Sequence, residues 1–254
     1  MPSGPRIEVL QEGAVALVLL ENPPRQLLTR SMIAELASAV AGFEADDRVR
    51  SVVVTGAEEA DFCGGLDLEE WAGLAPKRAQ EEITRGQDAL WALEHLTKPT
   101  IAAVSGACHG AGLELALACD IRIASETAVF SHPEITVAWM PSHGGTARLA
   151  RAVGPAKALE LLLTGASLKA VHALRLGLVN HVALPGEALE EAKAMARGFA
   201  ERPRAAVRAI KRTLTEGGEK PYRNRFLLEA QHAAQVLYSK EYREAMDRVR
   251  SKKG

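Results

Sequence analysis

The sequence predicts an α/β fold followed by an all-helical C-terminal portion. Short, nearly continuous aliphatic runs, too brief for helices, alternate with segments of helical periodicity. Glycine-bearing turns follow two of those runs and lead into helical segments. After Pro185-Gly186, by contrast, every apolar stripe recurs at helical spacing. The boundary is placed near residue 195, with an α/β core that holds the candidate site over 1–195 and a helical portion over 196–254. At 254 residues and 47% apolar content the chain can bury a large core.

Taken in order, 7–10 and 14–20 read as two strands hinged at Glu12-Gly13, and Asn22-Pro23-Pro24 ends the second, since proline lacks a ladder donor. From about Thr29 to Ala45, Ile33, Leu36, Ala37, Val40 and Phe43 recur at helical spacing, with Thr29 or Ser31 as N-cap. Val52, Val53 and Val54 mark a buried strand over 51–55. A turn over 62–68 then opens a short helix, 72–76 breaks the periodicity, and 80–96 is helical until Lys98-Pro99. Ile101–Val104 is a buried strand, Gly106, Gly110 and Gly112 make a second turn, and the Ala/Leu-rich segment after it is a helix. Strands follow at 121–124 and from Val129. Helices are expected through 147–152, from Pro155 with Leu159, Leu162 and Leu163 on its inner face, and after Ser167 as cap. In the tail, Leu189, Ala192, Ala196 and Phe199 form one stripe and Val207, Ile210 and Leu214 the next. Tyr222, Phe226 and Leu228 belong to a third helix, and Tyr242, Met246 and Val249 to a last one.

Composition narrows the partners. With 31 basic against 32 acidic residues, nothing global calls for nucleic acid or an anionic membrane surface. Cys63, Cys108 and Cys119 are odd in number and lack metal-type spacing, the start at Met1-Pro2-Ser3 has no apolar signal core, and no membrane-length apolar run occurs. A soluble, cytoplasmic protein is expected. His109, His132 and His143 raise the question of a metal or a Cys–His nucleophile. No zincin-type spacing appears, however, and no cysteine has a positioned partner. The glycines at 106, 110 and 112 do not match the dinucleotide fingerprint, no phosphate-loop lysine motif exists, and Ser142 lacks the glycine of a nucleophile elbow.

Two turns carry the chemical signal. Each follows a buried strand, and each can offer a backbone N–H, from Leu66 and from Ala111. Two such donors aimed at one oxygen make an oxyanion hole, although glycines in these places also serve plain tight packing. Glu114 stands in the first turn of its helix, where a capping role is common. Its neighbours Leu113, Leu115, Ala116 and Leu117 leave no polar face, so its carboxylate is expected to look into a cavity. Glu134 alone would read as a loop acid; paired with Glu114 across one site it could move protons to and from a substrate. Arg202, Arg204, Arg208, Lys211 and Arg212 form a basic cluster that is either a solvated helix face or a seat for ligand phosphates.

Over almost its whole length the chain resembles the crotonase family, the enoyl-CoA hydratase/isomerase superfamily. Phe62-Cys63-Gly64-Gly65-Leu66-Asp67-Leu68 is similar to its first oxyanion motif, and Ala102 to Gly106 with Gly112 to Asp120 to its second. Phe130-Ser131-His132-Pro133-Glu134 is similar to the segment bearing the hydratases' second carboxylate. Gly144 to Leu149 and Leu176 to Asn180 match further signatures. The resemblance implies a spiral of ββα units whose helical C-terminal portion packs against neighbours in a homotrimer or a dimer of trimers. It implies an acyl-CoA thioester held at its carbonyl by the N–H groups of Leu66 and Ala111, with Glu114 activating water for C3 and Glu134 handling the proton at C2. By the same carry-over, Arg25, Leu27, Gly64, Gly65, Asp67, Leu68, Gly110 and Trp139 contact the substrate, no metal takes part, and coenzyme A is part of the substrate rather than a separate cofactor. The activity so implied is enoyl-CoA hydratase; an isomerase or another acyl-CoA activity of the family, or a non-catalytic acyl-CoA-binding relative, stay open. The chain departs from the pattern at Ala111 (often glycine), at Pro23 to Leu28 (often ending Asn-Ala-Leu), at Ser142-His143 (often small residues) and at Ala245-Met246 (often Ala-Phe).

Overall fold

A computed structural model describes residues 4–57, 61–218 and 220–251; the expected polar start at Met1-Pro2-Ser3 lies outside them. The chain opens with a hairpin of β1 (Arg6–Glu12) and β2 (Val15–Glu21), and α1 (Arg30–Ala45) follows, capped by the Thr29 hydroxyl on the Met32 N–H as the spacing predicted. Next come β3 (Ser51–Gly56), a 3₁₀ turn over Leu68–Glu70, α2 (Pro76–His95), β4 (Thr100–Val104), β5 (Ala107–His109), α3 (Ala111–Ala118), β6 (Ile121–Ser125) and β7 (Val129–Ser131). A 3₁₀ turn at Pro133–Val137 leads to α4 (Gly145–Val153), α5 (Pro155–Thr164), β8 (Leu168–Lys169), α6 (Ala170–Arg175) and β9 (His181–Ala183). Helices α7 (Ala188–Ala200), α8 (Arg204–Gly217), α9 (Tyr222–Leu237) and α10 (Lys240–Ser251) finish the chain.

Six strands form one sheet in the order β1-β2-β3-β4-β6-β9, antiparallel between β1 and β2 and parallel thereafter. Its central strands are buried on both faces, which is why they read as unbroken aliphatic runs. Strand alternation divides them between two cores. Val18, Leu20, Val52, Val54, Ala102 and Val104 face Met32, Leu36, Leu93 and Leu115 of α1, α2 and α3. Val15, Leu17, Val53, Ile101 and Ile123 face Ala188, Ala192 and Ala196 of α7. The expected division at residue 195 falls inside that helix. A second sheet, β5-β7-β8, lies beside the first.

Several expectations are corrected. The segment 107–109, read as part of a glycine-rich turn, is a strand paired in parallel with β7. Helix α2 begins at Pro76 rather than near residue 80, because proline fits the first helical position where its missing N–H costs nothing. Ser167 does not cap α6; Lys169, at the end of the short β8, precedes it without a side-chain cap. Leu159 and Leu163 lie on the outer face of α5, 58% and 62% exposed, while Ala158 and Leu161 turn inward. In the tail Ile210 and Leu214 are exposed, and α8 buries Lys211 and Gly217 instead; the Lys211 Nζ donates to the Lys98 carbonyl and pairs with Asp120 at 2.8 Å. Arg204 and Arg212 also pair with carboxylates, Asp47 and Glu216, which favours the structural reading of the basic cluster.

The two glycine turns are laced together. Phe62 N–H donates to the Ser105 carbonyl at 2.8 Å, Cys63 N–H to Ala107 at 3.0 Å, and His109 N–H back to Cys63 at 2.9 Å. The Asp61 carboxylate accepts the Ala107 N–H. Gly112 packs so closely on this rung that a Cβ there would lie 2.4 Å from the Cys63 carbonyl oxygen. Replacing Gly112 with Ala is therefore expected to cost about 1–3 kcal/mol, since the obstruction is backbone that cannot swing away. At Gly42, on the exposed side of α1 with nothing within 4 Å of a Cβ, the same change is expected to stabilise by about 0.5–1 kcal/mol. Urea unfolding midpoints of Gly112→Ala and Gly42→Ala should shift in opposite directions.

Candidate active site

The laced turns open onto a cavity of about 550 Å³. Every residue assigned from the sequence to the acid pair, the two N–H donors or the substrate walls lines it: Glu114 and Glu134; Leu66 and Ala111; Arg25 and Leu27; Gly64, Gly65, Asp67 and Leu68; Gly110 and Trp139. Glu69, Pro133, Thr136, Val137 and Ser142 complete the wall and were not singled out as site residues.

Local backbone geometry presents two N–H groups here. The bridge between Leu28 and Leu66 uses the Gly65 carbonyl and the Asp67 N–H, so the N–H of Leu66 has no place in that ladder. Ala111 is the first residue of α3, whose first intrahelical bond runs from Glu114 to the Gly110 carbonyl, so its N–H is one of the helix's unclaimed donors. Gly110 reaches this corner at φ +52, a conformation that a side chain disfavours, and its own N–H is taken by the Ser131 carbonyl. The methyl of Ala111 is buried in the core, and its N–H is preserved.

The two carboxylates live in different surroundings. Glu114 is 1% exposed, and its Oε1 accepts the N–H groups of His143 and Gly145, each at 2.7 Å. Burial pushes its carboxyl up, but the hydrogen bond and charge of His143, the charge of His132 and the Gly145 N–H outweigh it, and the pKa is lowered. Glu114 is thus ionised at neutral pH. Glu134 turns Oε1 to His132 Nδ1 at 3.1 Å, while its buried Oε2 has no partner among the described residues. His132 stands between the acids: a Cβ on Gly145 would lie 2.9 Å from both the Glu114 Oε1 and the His132 Cε1.

The other candidates are placed as firmly. His109 shares a hydrogen bond with the Ser131 hydroxyl, and burial, reinforced by Arg25, pushes its pKa down. Cys63 is free and wholly buried, its thiol pushed up to about 12, which leaves no thiolate for nucleophilic attack near neutral pH. No three His, Cys, Asp or Glu side chains among the described residues come together as metal ligands would. No described helix is long and apolar enough to cross a membrane. Sequence reading missed the roles of His132 and His143 beside the acids; the only signal was a histidine two residues before Glu134 and another beside Gly144-Gly145.

Comparison with known proteins places this geometry. The family described as "Enoyl-CoA hydratase/isomerase" matches residues 11–253. The short-chain-enoyl-CoA hydratase of Clostridium acetobutylicum is 34% identical over 237 residues, 93% of this chain and 91% of that protein. The crotonyl-CoA hydratase of Syntrophomonas wolfei is 34% identical over 240 residues, 94% and 92% of the two chains. The crystal structure of an enoyl-CoA hydratase from Polaromonas superposes with a TM-score of 0.92 at 34% identity, covering 97% of each chain.

The lowered pKa of Glu114 has a stability consequence. Its folded-state pKa lies below the unfolded value, so its contribution is present above about pH 4.3, the ordinary glutamate value, and is lost as pH falls through the folded pKa. In urea unfolding, the advantage of wild type over Glu114→Gln should therefore shrink between about pH 7 and pH 3. An advantage that grows on acidification would contradict the assignment.

Proposed function

The chain belongs to the enoyl-CoA hydratase/isomerase family, and from that premise we propose that it is an enoyl-CoA hydratase, adding water reversibly to a trans-2-enoyl-CoA. The observation that carries this reading is the convergence of Glu114, Glu134, Leu66 and Ala111 on one cavity. The thioester carbonyl oxygen lies between the N–H groups of Leu66 and Ala111. Water held by the ionised Glu114 forms a bond to C3 and gives up a proton to that carboxylate. The π electrons move towards the thioester, whose oxygen takes on enolate charge stabilised by the two N–H donors. Glu134 delivers a proton to C2, and the product is the 3-hydroxyacyl-CoA. Arg25, Leu27, Gly64, Gly65, Asp67, Leu68, Gly110 and Trp139 form the walls against the substrate, whose coenzyme A stays bound as the thioester from substrate to product, with no separate cofactor. Three buried free cysteines fit a reducing cytoplasm.

The assembly we propose is a homotrimer or a dimer of such trimers. It would cover the exposed apolar side chains Leu159 and Leu163 of α5, Ile210 and Leu214 of α8, and Tyr222 and Phe226 of α9. Light scattering on the purified chain should give the mass of three or six copies; a monomer at micromolar concentration would count against it.

Crotonyl-CoA hydration, followed as loss of enoyl absorbance, tests the activity. Glu114→Gln and Glu134→Gln should each lower kcat by about 10²–10⁴-fold with the fold intact by circular dichroism. Wild type that moves double bonds without adding water would make this an isomerase, and acyl-CoA binding without turnover would make it a binding protein.

A further inference from the structure

Glu114 is held by more than its two backbone contacts. With Oε1 occupied by the N–H groups of His143 and Gly145, Oε2 is left facing the Nδ1 of the His143 ring at 3.5 Å, beyond ordinary hydrogen-bond reach but within ion-pair range. Among the described contacts no other side-chain nitrogen pairs with Glu114. The ring is 2% exposed and is fixed on three sides. Its Nδ1 shares a 3.1 Å hydrogen bond with the hydroxyl of Ser142, a cavity residue. Trp71 meets it edge-on, ring centroids 6.0 Å apart. Behind it is the backbone of α2 at Gly86, where a Cβ would sit 1.8 Å from the ring Cδ2 and 2.0 Å from Nε2.

Gly86 needs a reason. It stands inside a 20-residue helix, where glycine costs about 1 kcal/mol relative to alanine, and no turn or left-handed backbone requires it there. Room for the His143 ring supplies the reason. The buried Nε2 has no hydrogen-bond partner among the described residues, so the ring proton belongs on Nδ1, where the Ser142 oxygen accepts it and the Glu114 carboxylate lies within ion-pair range. The charged and titratable groups around this pair are His132 and Glu134 from the segment after β7, Arg148 from α4 and Glu94 from α2. Arg148 Nη1 donates to the His143 carbonyl at 2.7 Å and its Nε to Glu94 at 2.8 Å, which fixes the loop but leaves the ring free to serve Glu114.

We propose that His143 is a positioning residue for the hydration step: seated in the notch at Gly86, its Nδ1–H keeps the Glu114 carboxylate turned so that Oε2 meets the incoming water. This rests on the hydratase reading given above. Without that N–H, burial of Glu114 is less opposed, and its carboxyl takes up a proton at higher pH.

The test compares wild type with His143→Ala, His143→Asn, Gly86→Ala and the Gly86→Ala/His143→Asn double variant. Two readouts are followed: the pH profile of crotonyl-CoA hydration, and an infrared titration of Glu114 taken as the difference from Glu114→Gln. Asparagine keeps an N–H donor near the ring Nδ1 but leaves the notch empty. His143→Ala should lower kcat between about tenfold and a hundredfold, as expected of a misplaced catalytic group. It should leave KM within about twofold and move the acid limb to higher pH. His143→Asn should restore the acid limb. Gly86→Ala should reproduce the alanine effect when His143 is present and be harmless in the double variant, where the smaller amide leaves room for the added methyl. A fall in kcat with an unmoved acid limb and an unmoved infrared titration would reduce His143 to a packing residue and overturn the proposal. So would a Gly86→Ala effect that persists in the double variant. If wild type hydrates no enoyl-CoA, the hydratase reading fails, while the infrared titration still decides whether His143 holds Glu114.

Discussion

The site depends on one short piece of parallel backbone pairing, between Phe62-Cys63 and 105–109. Those segments belong to turns that leave β3 and β4, more than forty residues apart in the chain, and nothing covalent relates them. Three backbone bonds and the Asp61 carboxylate do. The side chains of Cys63 and Cys108 that face each other across this rung are wholly buried, so the bonds are shielded from competing water. Because Leu66 is three residues past Cys63 and Ala111 three past Cys108, fixing the rung fixes the separation of the two N–H donors. Preorganised donors are effective in catalysis because they need no reorientation as charge develops. Here that preorganisation comes from sheet-like pairing and from the absence of a side chain at Gly112.

The same cavity holds two glutamates under opposite regimes. A carboxylate buried as deeply as Glu114 would ordinarily take up a proton, since burial disfavours charge. The hydrogen bond and charge of His143, the charge of His132 and the Gly145 N–H reverse that preference, and the loop that leads into α4 at Gly145 brings the N–H groups of His143 and Gly145 onto Oε1. Glu134 receives no backbone N–H among the described residues: one oxygen meets His132, and the other is buried without a partner. Different environments can fit chemically identical groups to different roles, which is what the hydration proposed above asks of this pair. The pairing is asymmetric by construction, because one acid sits on a helix and the other on a 3₁₀ turn.

Much of this was legible in the sequence. Continuous aliphatic runs at 14–20, 51–55 and 101–104 announce doubly covered strands, and the apolar flanks of Glu114 announce a carboxylate without a surface to occupy. All twelve residues taken from the two turns, the acidic pair and the flanking segments line one cavity. What was illegible depended on partners distant in sequence. Ala107-Cys108-His109 looks like part of a turn because three residues carry no periodicity; only pairing with β7 makes them a strand. Leu159 and Leu163 satisfy helical spacing as well as Ala158 and Leu161 do, and which pair turns inward is set by packing of α5 against α4 and the main core. Gly86 reads as a weak point in α2 until His143, far along the chain, is seen to need its space.

The helical tail inverts the usual rule for an amphipathic helix. In α8 and α9 the large apolar side chains Ile210, Leu214, Phe226 and Leu227 face outward, whereas Lys211 and His232 are buried. An inward lysine is tolerable only because it is paired: Nζ meets the Asp120 carboxylate and the Lys98 carbonyl. Asp120 in turn accepts the N–H and hydroxyl of Thr100, the first residue of β4. One contact that ties α8 to the rest of the fold is therefore made at the base of the strand whose far end leads to Ser105 and the Gly106 turn. An outward apolar face costs solvation that a monomer cannot recover, and the homo-oligomer proposed above would cover it. Under that assembly α8 would carry both an interface on its outer face and, through Lys211 and Asp120, a contact with the root of β4 on its inner one.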